Sequence, residues 1–269
     1  MDEICFTEYG NGIYALRTER WMQRQTAGGA IMQSWVVTGS HAVMVIDSPV
    51  PENSAFRNSI EITFGLPVIM VNSHGHIDHI GCNAQFSEVY MAKEDWALAC
   101  GGGIAPNPAG YQEGKLPYQL RPLMDRQTIS LGNREILPIH VPGHTRGCYV
   151  FYDVMTQTLF GGDAVTRRVL YGMSDWTPLE IYLQHLESLQ TLPIARVFSA
   201  HDDMELPADM PARIIANIRG HIVSTQEKWE SPVDGRIFRR ILLGETEEDV
   251  DFFDFVMPED QYQKQGEEE

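Results

Sequence analysis

The sequence of 269 residues has few cysteines, few basic residues and no long apolar run. Its four cysteines lie far apart, at positions 5, 82, 100 and 148, and are too few for a disulfide framework, so we expect free thiols. No stretch of about eighteen apolar residues occurs, and the opening MDEICFTEYG lacks the basic flank and apolar segment of a secretion signal. These absences predict a cytoplasmic protein with no membrane partner.

Positive charge is scarce because 20 basic residues face 37 acidic ones, which gives a formal net charge of −17. A chain this acidic repels polyanions, so nucleic acid is not an expected partner. A small-molecule substrate is the partner we expect. The sequence leaves the number of chains in the assembly open, and a homo-oligomer is compatible with it.

The elements that are present alternate between short strands and helices, which is typical of an α/β fold. We expect a single domain over residues 1–260 and a frayed acidic tail over 261–269. Residues 19–31 are expected to form a mobile hairpin tip, and residues 101–125, rich in Gly and Pro, a loop that faces the substrate or only the solvent. A last helix is predicted over 208–228.

The two halves of the chain contain a similar arrangement of predicted elements. In each half, a predicted β-hairpin ends at an aspartate, a helix follows, and a strand then ends at histidine: Asp47 and His74 in the first half, Asp163 and His201 in the second. Two such units predict two stacked sheets with helices outside. Their strand ends then meet at one edge, where α/β folds bind ligands.

Potential metal ligands are concentrated at these strand ends. The stretch NSHGHIDHIGC places His74, His76, Asp78 and His79 within six positions. Imidazoles and carboxylates crowded into one small volume favour a cation between them. Further members of the set are His144 in VPGHT, Asp163 in FGGDAV and His201 in SAHDD.

The motifs HGHIDH, VPGHT, FGGDAV and SAHDD, in this order, resemble those of the metallo-β-lactamase superfamily. The resemblance implies a four-layer αβ/βα sandwich, with two mixed β-sheets flanked by helices. It also implies a dinuclear metal site with two Zn²⁺ per chain, or iron or manganese instead. By this resemblance one metal is bound by His74, His76 and His144, the other by Asp78, His79 and His201, with Asp163 bridging both.

The same resemblance implies hydrolysis by a hydroxide that bridges the two metal ions. Asp163 and Asp78 are the expected catalytic carboxylates, and Asp78 is also a candidate proton relay to the leaving group. Asp47 is expected to orient the histidine loop through hydrogen bonds rather than to bind metal. Asn72 and Thr145 are further candidates for such support.

The motif set resembles the glyoxalase II and lactonase branches, and Asp163 disfavours β-lactam hydrolysis as the main activity. We therefore expect cleavage of an ester, lactone or thioester, although the C-terminal basic residues do not match the glutathione-binding pattern of glyoxalase II. A phosphodiesterase, a mono-iron oxygenase similar to persulfide dioxygenases and a non-catalytic metal-binding scaffold remain alternatives. The candidate substrate-binding residues are Tyr171, which is expected to assist an alkoxide leaving group, Arg167 and Arg168 as an anion clamp, and Trp21.

Overall fold

A computed structural model describes residues 4–19, 31–50, 53–173, 177–231 and 235–259 of the chain. Its first sheet has seven strands that follow the chain order. The strands are β1 (Thr7–Gly10), β2 (Ile13–Glu19), β3 (Ile31–Thr38), β4 (Val43–Ile46), β5 (Val68–Val71), β6 (Glu88–Met91) and β7 (Gln119–Pro122). Strands β1 to β4 pair antiparallel, whereas β4 to β7 pair parallel, so the sheet is mixed.

The second sheet has five strands in the order β13-β11-β10-β9-β8. Its strands are β8 (Ile129–Ser130), β9 (Glu135–His140), β10 (Tyr149–Asp153), β11 (Thr158–Phe160) and β13 (Arg196–Phe198). Strand β13 joins β11 in parallel, just as β5 joins β4 in the first sheet. The repeated unit that the sequence predicts is therefore present in both halves.

Helices cover the outer faces of the two sheets. They are α1 (Phe56–Phe64), α2 (Ile77–Ile80), α3 (Trp96–Cys100), α4 (Leu179–Leu189) and α5 (Met210–His221), with 3-10 turns at Asn83–Gln85 and Lys93–Asp95. Residues from α1 and α3 pack on the first sheet, and α4 and α5 pack on the second. Between the sheets, Trp35 stacks on Phe198 with ring centroids 4.5 Å apart. This arrangement confirms the predicted four-layer sandwich.

A third sheet, with the order β12-β16-β15-β14, is absent from the sequence-based prediction. It comprises β12 (Arg168–Leu170), β14 (Lys228–Glu230), β15 (Ile237–Leu243) and β16 (Phe253–Pro258). The helix predicted over 208–228 ends at His221, and the segment after it forms three of these strands. Charged residues inside these strands interrupt the alternation of apolar and polar residues that would reveal them in the sequence. The fold accommodates such charges by pairing them across strands, as with Arg240 in β15 and Asp254 in β16. The sheet packs against the α4 and α5 side of the sandwich.

The segment 101–125, predicted as a loop, contributes strand β7 to the first sheet, paired parallel with β6. Two of the four free cysteines, Cys82 and Cys148, are buried, whereas Cys5 is exposed. Among the described helices, none is long and apolar enough to cross a bilayer.

Candidate metal centre

The predicted ligands lie where strands of the two sheets end. His74 follows β5 and begins the turn that leads into α2, which carries Asp78 and His79. His144 lies in the loop between β9 and β10, Asp163 follows β11, and His201 follows β13. Because β9, β11 and β13 run in the same direction, their carboxyl ends meet at one edge of the second sheet. Seven side chains from four separate segments of the chain thus share one volume.

Three histidines form the first ligand group, which we define as His74, His76 and His144. The Nδ1 atom of His76 lies 2.9 Å from Nε2 of His74 and 2.7 Å from Nε2 of His144. Three imidazole nitrogens that converge on one point are a typical set for a divalent transition metal. The family resemblance implied the same three residues as ligands of one metal.

Asp78, His79 and His201 form the second ligand group. The Nε2 atom of His79 lies 3.8 Å from Oδ1 of Asp78, and Nε2 of His201 lies 3.7 Å from Oδ2 of Asp78. Four tetrahedral ligands at about 2.1 Å from a metal are separated by roughly 3.4 Å, so these spacings suit a shared ion better than direct hydrogen bonds.

The Asp163 carboxylate lies between the two groups, with one oxygen toward each. Its Oδ2 atom is 3.5 Å from Nε2 of His144 in the first group. Its Oδ1 atom is 3.4 Å from Nε2 of His79 and 3.2 Å from Nε2 of His201 in the second. This is the geometry required of a bridging carboxylate.

Unpaired polar atoms support a metal in this site. Within the described part of the chain, His79 Nε2, Asp163 Oδ1 and His201 Nε2 are buried and lack a hydrogen-bond partner. Buried polar atoms are normally paired, because each unpaired one costs about 1–3 kcal/mol. All three point into the second group, where a cation would satisfy them together. The residues present therefore fit bound divalent metal.

The pKa values in the site also fit metal binding. Burial lowers the pKa of His76 to about 3 and lowers the pKa of His74 and His144 as well, so these rings are neutral at pH 7 and their lone pairs are available. Burial opposes protonation of His79 too, but the carboxylates of Asp47, Asp163 and Asp78 raise its pKa to about 9. The negative potential that retains this proton also attracts a cation.

The bridging carboxylate is ionised for a related reason. Burial by itself raises the pKa of Asp163, but the nearby His201 and His79 outweigh it and hold that pKa well below the usual value. An ionised carboxylate is the form that binds metal.

Asp47 supports the histidine loop from behind. Its Oδ2 atom lies 2.9 Å from Nδ1 of His79 and accepts a hydrogen bond of 2.7 Å from the Ser73 hydroxyl. Its Oδ1 atom accepts from the Ser73 backbone N–H at 2.7 Å. Because Nδ1 of His79 is engaged here, Nε2 is the nitrogen directed toward the second group.

Backbone carbonyls orient two more ligands in the same way. Nδ1 of His144 lies 2.6 Å from the Leu170 carbonyl oxygen, and Nδ1 of His201 lies 2.8 Å from that of Ile31. Each contact leaves Nε2 of the ring facing the metal groups. Strands β3 and β12 thereby determine how these histidines are oriented.

A buried amide network holds the segment after the histidine motif. The Asn72 side chain donates to the His79 carbonyl oxygen at 2.6 Å, and the Asn83 side chain donates to Asn72 at 2.8 Å. Ser48 donates to Asn83 at 2.9 Å. Asn72 thus contacts the ligand loop, as its position suggested, while Ser48 and Asn83 were missed.

Asp202 secures the loops that carry His201 and Asp163. It accepts hydrogen bonds from the hydroxyls of Ser199 and Thr166 at 2.7 and 2.8 Å and from Nε of Arg167 at 2.7 Å. The Gln33 side chain in β3 donates to the Asp202 carbonyl oxygen. Asp202 was overlooked although it follows His201 in the SAHDD motif.

Arg167 and Arg168, predicted to clamp a substrate anion, are paired with acidic residues of the chain itself. Arg167 is buried against Asp202, and its guanidinium also donates to a backbone carbonyl. Arg168 pairs with Asp254 and with Glu247. The structure therefore gives both arginines a role in holding the third sheet and the ligand loops, because their charges are compensated internally.

Tyr171, predicted to assist a leaving group, is fully buried in the core between α4 and the third sheet. Its hydroxyl donates to the Thr177 carbonyl oxygen, and its ring packs against Tyr182 and Phe255. The side chain is thus a packing residue in this structure. Trp21 lies outside the described residues.

One further carboxylate that sequence reasoning missed is Asp95, which follows β6 and is 1% exposed. In the sequence it resembles an acidic residue in the first turn of a helix, where such residues are common because they complement the helix dipole. The signal that was available is its place just after a strand end, which it shares with the ligands.

Comparison with known proteins agrees with the geometry. The family model "Metallo-beta-lactamase superfamily" matches residues 31–201. The chain is 31% identical over 199 residues to the acyl-coenzyme A thioesterase MBLAC2 of Homo sapiens, covering 63% of this chain and 68% of that protein. The corresponding protein of Gallus gallus is 28% identical over 209 residues, covering 68% of this chain and 72% of that protein.

Other relatives match over a shorter span. A hydroxyacylglutathione hydrolase of Synechococcus sp. (strain JA-3-3Ab) is 32% identical over 136 residues, or 50% of this chain and 49% of that enzyme. Two solved structures share the fold at low identity. One is a beta-lactamase domain protein of Burkholderia ambifaria, with a TM-score of 0.62 and 19% identity, which covers 83% of this chain and 79% of that one. The other is a metallo-beta-lactamase family protein of Thermus thermophilus, with a TM-score of 0.60 and 17% identity, which covers 91% of this chain and 99% of that one.

Proposed function

Because the chain belongs to the metallo-β-lactamase superfamily, we propose that it is a metal-dependent hydrolase of acyl thioesters, with acyl-coenzyme A as the substrate class. The observation that carries the proposal is the Asp163 carboxylate, which directs one oxygen to each of two ligand groups. The choice of a thioester follows the thioesterase relatives, which match about two thirds of their own length, whereas the hydroxyacylglutathione hydrolase matches about half.

Two bound metal ions would supply Lewis acidity, which lowers the pKa of water and polarises a carbonyl group. The chain's own contribution begins with the neutral rings of the first group. At that end Asp163 is the one ligand carboxylate within reach, whereas at the other end Asp78 adds a second carboxylate beside Asp163. Because of this asymmetry, a carbonyl oxygen that gains negative charge during the reaction is more favourably placed at the end with the three histidines.

Asp78 is the carboxylate we assign to proton transfer. Its side chain is 16% exposed, compared with 11% for Asp163 and 2% for Asp47, so it is the carboxylate of the site most open to solvent and substrate. The Oδ1 atom of Asp78 lies near His79, and its Oδ2 atom lies near His201. A carboxylate there can accept the proton of the attacking water while the loop contacts hold its orientation.

The placement of Tyr171 favours a thioester over a lactone. Ring opening of a lactone expels an alkoxide, which needs a proton donor, whereas a thiolate with a pKa of about 8.5 leaves without one. The Tyr171 hydroxyl is already donated to the Thr177 carbonyl oxygen and is buried. The predicted donor for alkoxide departure is therefore engaged elsewhere.

The proposal is tested by an activity screen on metal-analysed protein. The panel contains acyl-coenzyme A thioesters of several chain lengths, S-lactoylglutathione, a simple lactone, a phosphodiester and a β-lactam. We expect the highest kcat/KM for an acyl-coenzyme A, with release of free thiol, and loss of this activity in His74→Ala and Asp163→Ala.

Four outcomes contradict the proposal. A preference for S-lactoylglutathione would place the chain with the hydroxyacylglutathione hydrolases, and a preference for the phosphodiester or lactone would reject thioesters. One iron per chain with oxygen consumption would replace hydrolysis by an oxygenase reaction. Full activity in Asp163→Ala would show that hydrolysis does not need the bridging carboxylate.

A further inference from the structure

Asp95 contacts two loops of the metal centre through hydrogen bonds to residues that neighbour the ligands. Its Oδ2 atom accepts hydrogen bonds from the Gly75 N–H at 2.9 Å and from the Thr145 hydroxyl at 2.7 Å. Its Oδ1 atom accepts from the Gly147 N–H at 3.1 Å. One buried carboxylate on a third segment thereby receives donors from two loops about seventy residues apart in the sequence.

The donors are neighbours of first-group ligands. Gly75 lies between His74 and His76, and Thr145 follows His144 directly. The contacts of Asp95 therefore set the distance between the loop that carries two histidines and the loop that carries the third. The second group relies on different supports, namely Asp47 behind His79 and Asp202 beside His201.

The two glycines allow this close approach. A Cβ atom built on Gly147 would lie 2.5 Å from the carboxyl carbon of Asp95, and one on Gly75 would lie 3.0 Å from its backbone oxygen. A side chain at Gly147 would thus displace the carboxylate, and one at Gly75 would press on its backbone. The local sequence is consistent with a carboxylate held at this position.

We propose that Asp95 is a positioning residue for the first ligand group: it holds the His74–His76 loop and the His144 loop at metal-binding separation without contacting the metal itself. A carboxylate suits this role because it accepts all three bonds at once, whereas an amide has only one accepting oxygen. The proposal concerns metal geometry and is independent of which substrate is cleaved.

The decisive variant is Asp95→Asn, which preserves volume but turns a donor toward one of the N–H groups. We expect one of the two metal ions to bind about 10- to 100-fold more weakly, as is usual when a supporting hydrogen bond behind ligands is lost. The other ion should retain its affinity. The measurement is competition with a chromophoric chelator, followed by the visible spectrum of the Co²⁺-loaded protein.

Reference variants identify which ion is affected. His76→Ala removes a first-group ligand, and His201→Ala removes a second-group ligand. The Co²⁺ spectrum of Asp95→Asn at limiting metal should match that of His76→Ala. Asp202→Asn should instead match His201→Ala.

Two matched controls separate positioning from general stability. Glu94→Gln changes the exposed neighbouring carboxylate and should leave both affinities unchanged. Thr145→Ser retains the hydroxyl donor and should resemble the parent protein, whereas Thr145→Val removes it and should weaken the same ion as Asp95→Asn. Denaturant unfolding of each metal-free variant shows whether the fold is preserved.

The proposal is overturned if folded Asp95→Asn protein binds both ions with parent affinity, if both ions weaken equally, or if the ion lost is the one that His201→Ala loses. If Asp95→Asn does not fold, the pair Thr145→Ser and Thr145→Val decides alone. Equal metal affinities in that pair would then reject the role.

Discussion

Asp47 combines a strained backbone with a demanding side-chain role. Its φ of 64° is left-handed, which costs a residue with a Cβ atom roughly 1–2 kcal/mol. The left-handed turn directs its carboxylate to Ser73 and His79, where it makes three contacts in a buried environment. Strain that persists at a site of this kind is offset by the contacts that it enables.

Replacing Asp47 with asparagine should weaken metal binding more than it weakens the fold. The amide has one acceptor fewer, so the contact with Nδ1 of His79 or with Ser73 is lost. We expect about 10- to 100-fold weaker binding of the second-group metal, measured by chelator competition. Asp203→Asn, at an exposed carboxylate paired at 3.9 Å with Arg17, is the matched control, and an equal loss there would contradict the prediction.

The proton on His79 gives a pH-dependent signature. Its pKa is raised to about 9, so the metal-free protein holds this proton at pH 7.5, and a metal ion must displace it. Metal binding should therefore release about one proton at pH 7.5 and progressively fewer as the pH rises through about 9. Calorimetry in buffers of different ionisation enthalpy measures the number released, and a number that does not change between pH 7.5 and 10 would contradict the assignment.

Among individual residues, the metal ligands could be predicted from the sequence, but the residues that orient those ligands could not. Each of the seven predicted ligands follows an apolar strand within a short motif, and the structure brings all seven together. Asp95 lies outside these motifs and Asp202 lies inside one without being recognised, because the function of each depends on which donors the fold brings to its carboxylate. Tyr171 was misplaced for the same reason, since nothing local indicates that its hydroxyl meets Thr177.

At the scale of elements, the third sheet is connected to the metal centre through β12. Strand β12 pairs with β16, and its last residue, Leu170, accepts the hydrogen bond from His144. Asp254 in β16 is buried and paired with Arg168 in β12 and Arg240 in β15. The C-terminal strands thus hold the segment that orients a first-group ligand.

Asp254→Asn should destabilise the protein strongly. It removes the buried carboxylate from two partly buried arginines, which retain only their exposed partners Glu247 and Glu227. Breaking a buried pair costs about 3–5 kcal/mol, and somewhat less here because the arginines are partly exposed. Denaturant unfolding measures the loss. Glu247→Gln also removes a carboxylate from Arg168, but at an exposed position, and should cost less than about 1 kcal/mol; similar losses in the two variants would show that burial is not the cause.

The same sheet marks where the prediction of elements failed. Helices α1 and α4 and the paired hairpins follow clear apolar patterns, and the sequence predicts a helix after the hairpin in each half, as observed. Strands β15 and β16 contain Arg239, Arg240 and Asp254, whose charges are neutralised across strands. Such pairing is a tertiary property, so a strand that depends on it does not show a clean alternation in the sequence.

At the scale of the whole molecule, the net charge of −17 opposes an anionic substrate. Coenzyme A carries phosphate groups, so long-range repulsion should raise its KM at low ionic strength. We expect the KM for an acyl-coenzyme A to fall about twofold or more between roughly 20 and 200 mM salt. A neutral N-acetylcysteamine thioester with the same acyl chain should show no such change.

The opposite salt dependence would be informative. A KM for acyl-coenzyme A that rises with salt would show that a local basic surface binds the phosphates despite the global charge. Equal changes in the KM of the two thioesters would show that ionic strength acts on the protein itself rather than on the repulsion between the protein and coenzyme A.

We infer that hydrolysis depends on two metal ions held by seven side chains, and a metal titration is the sharpest test of this dependence. Metal-free protein, prepared with a chelator and verified as folded, is titrated with Zn²⁺ while bound metal and thioester hydrolysis are measured together. We expect no activity without metal and full activity at about two ions per chain. Full activity in the metal-free protein, or saturation of both binding and activity at one ion, would contradict it.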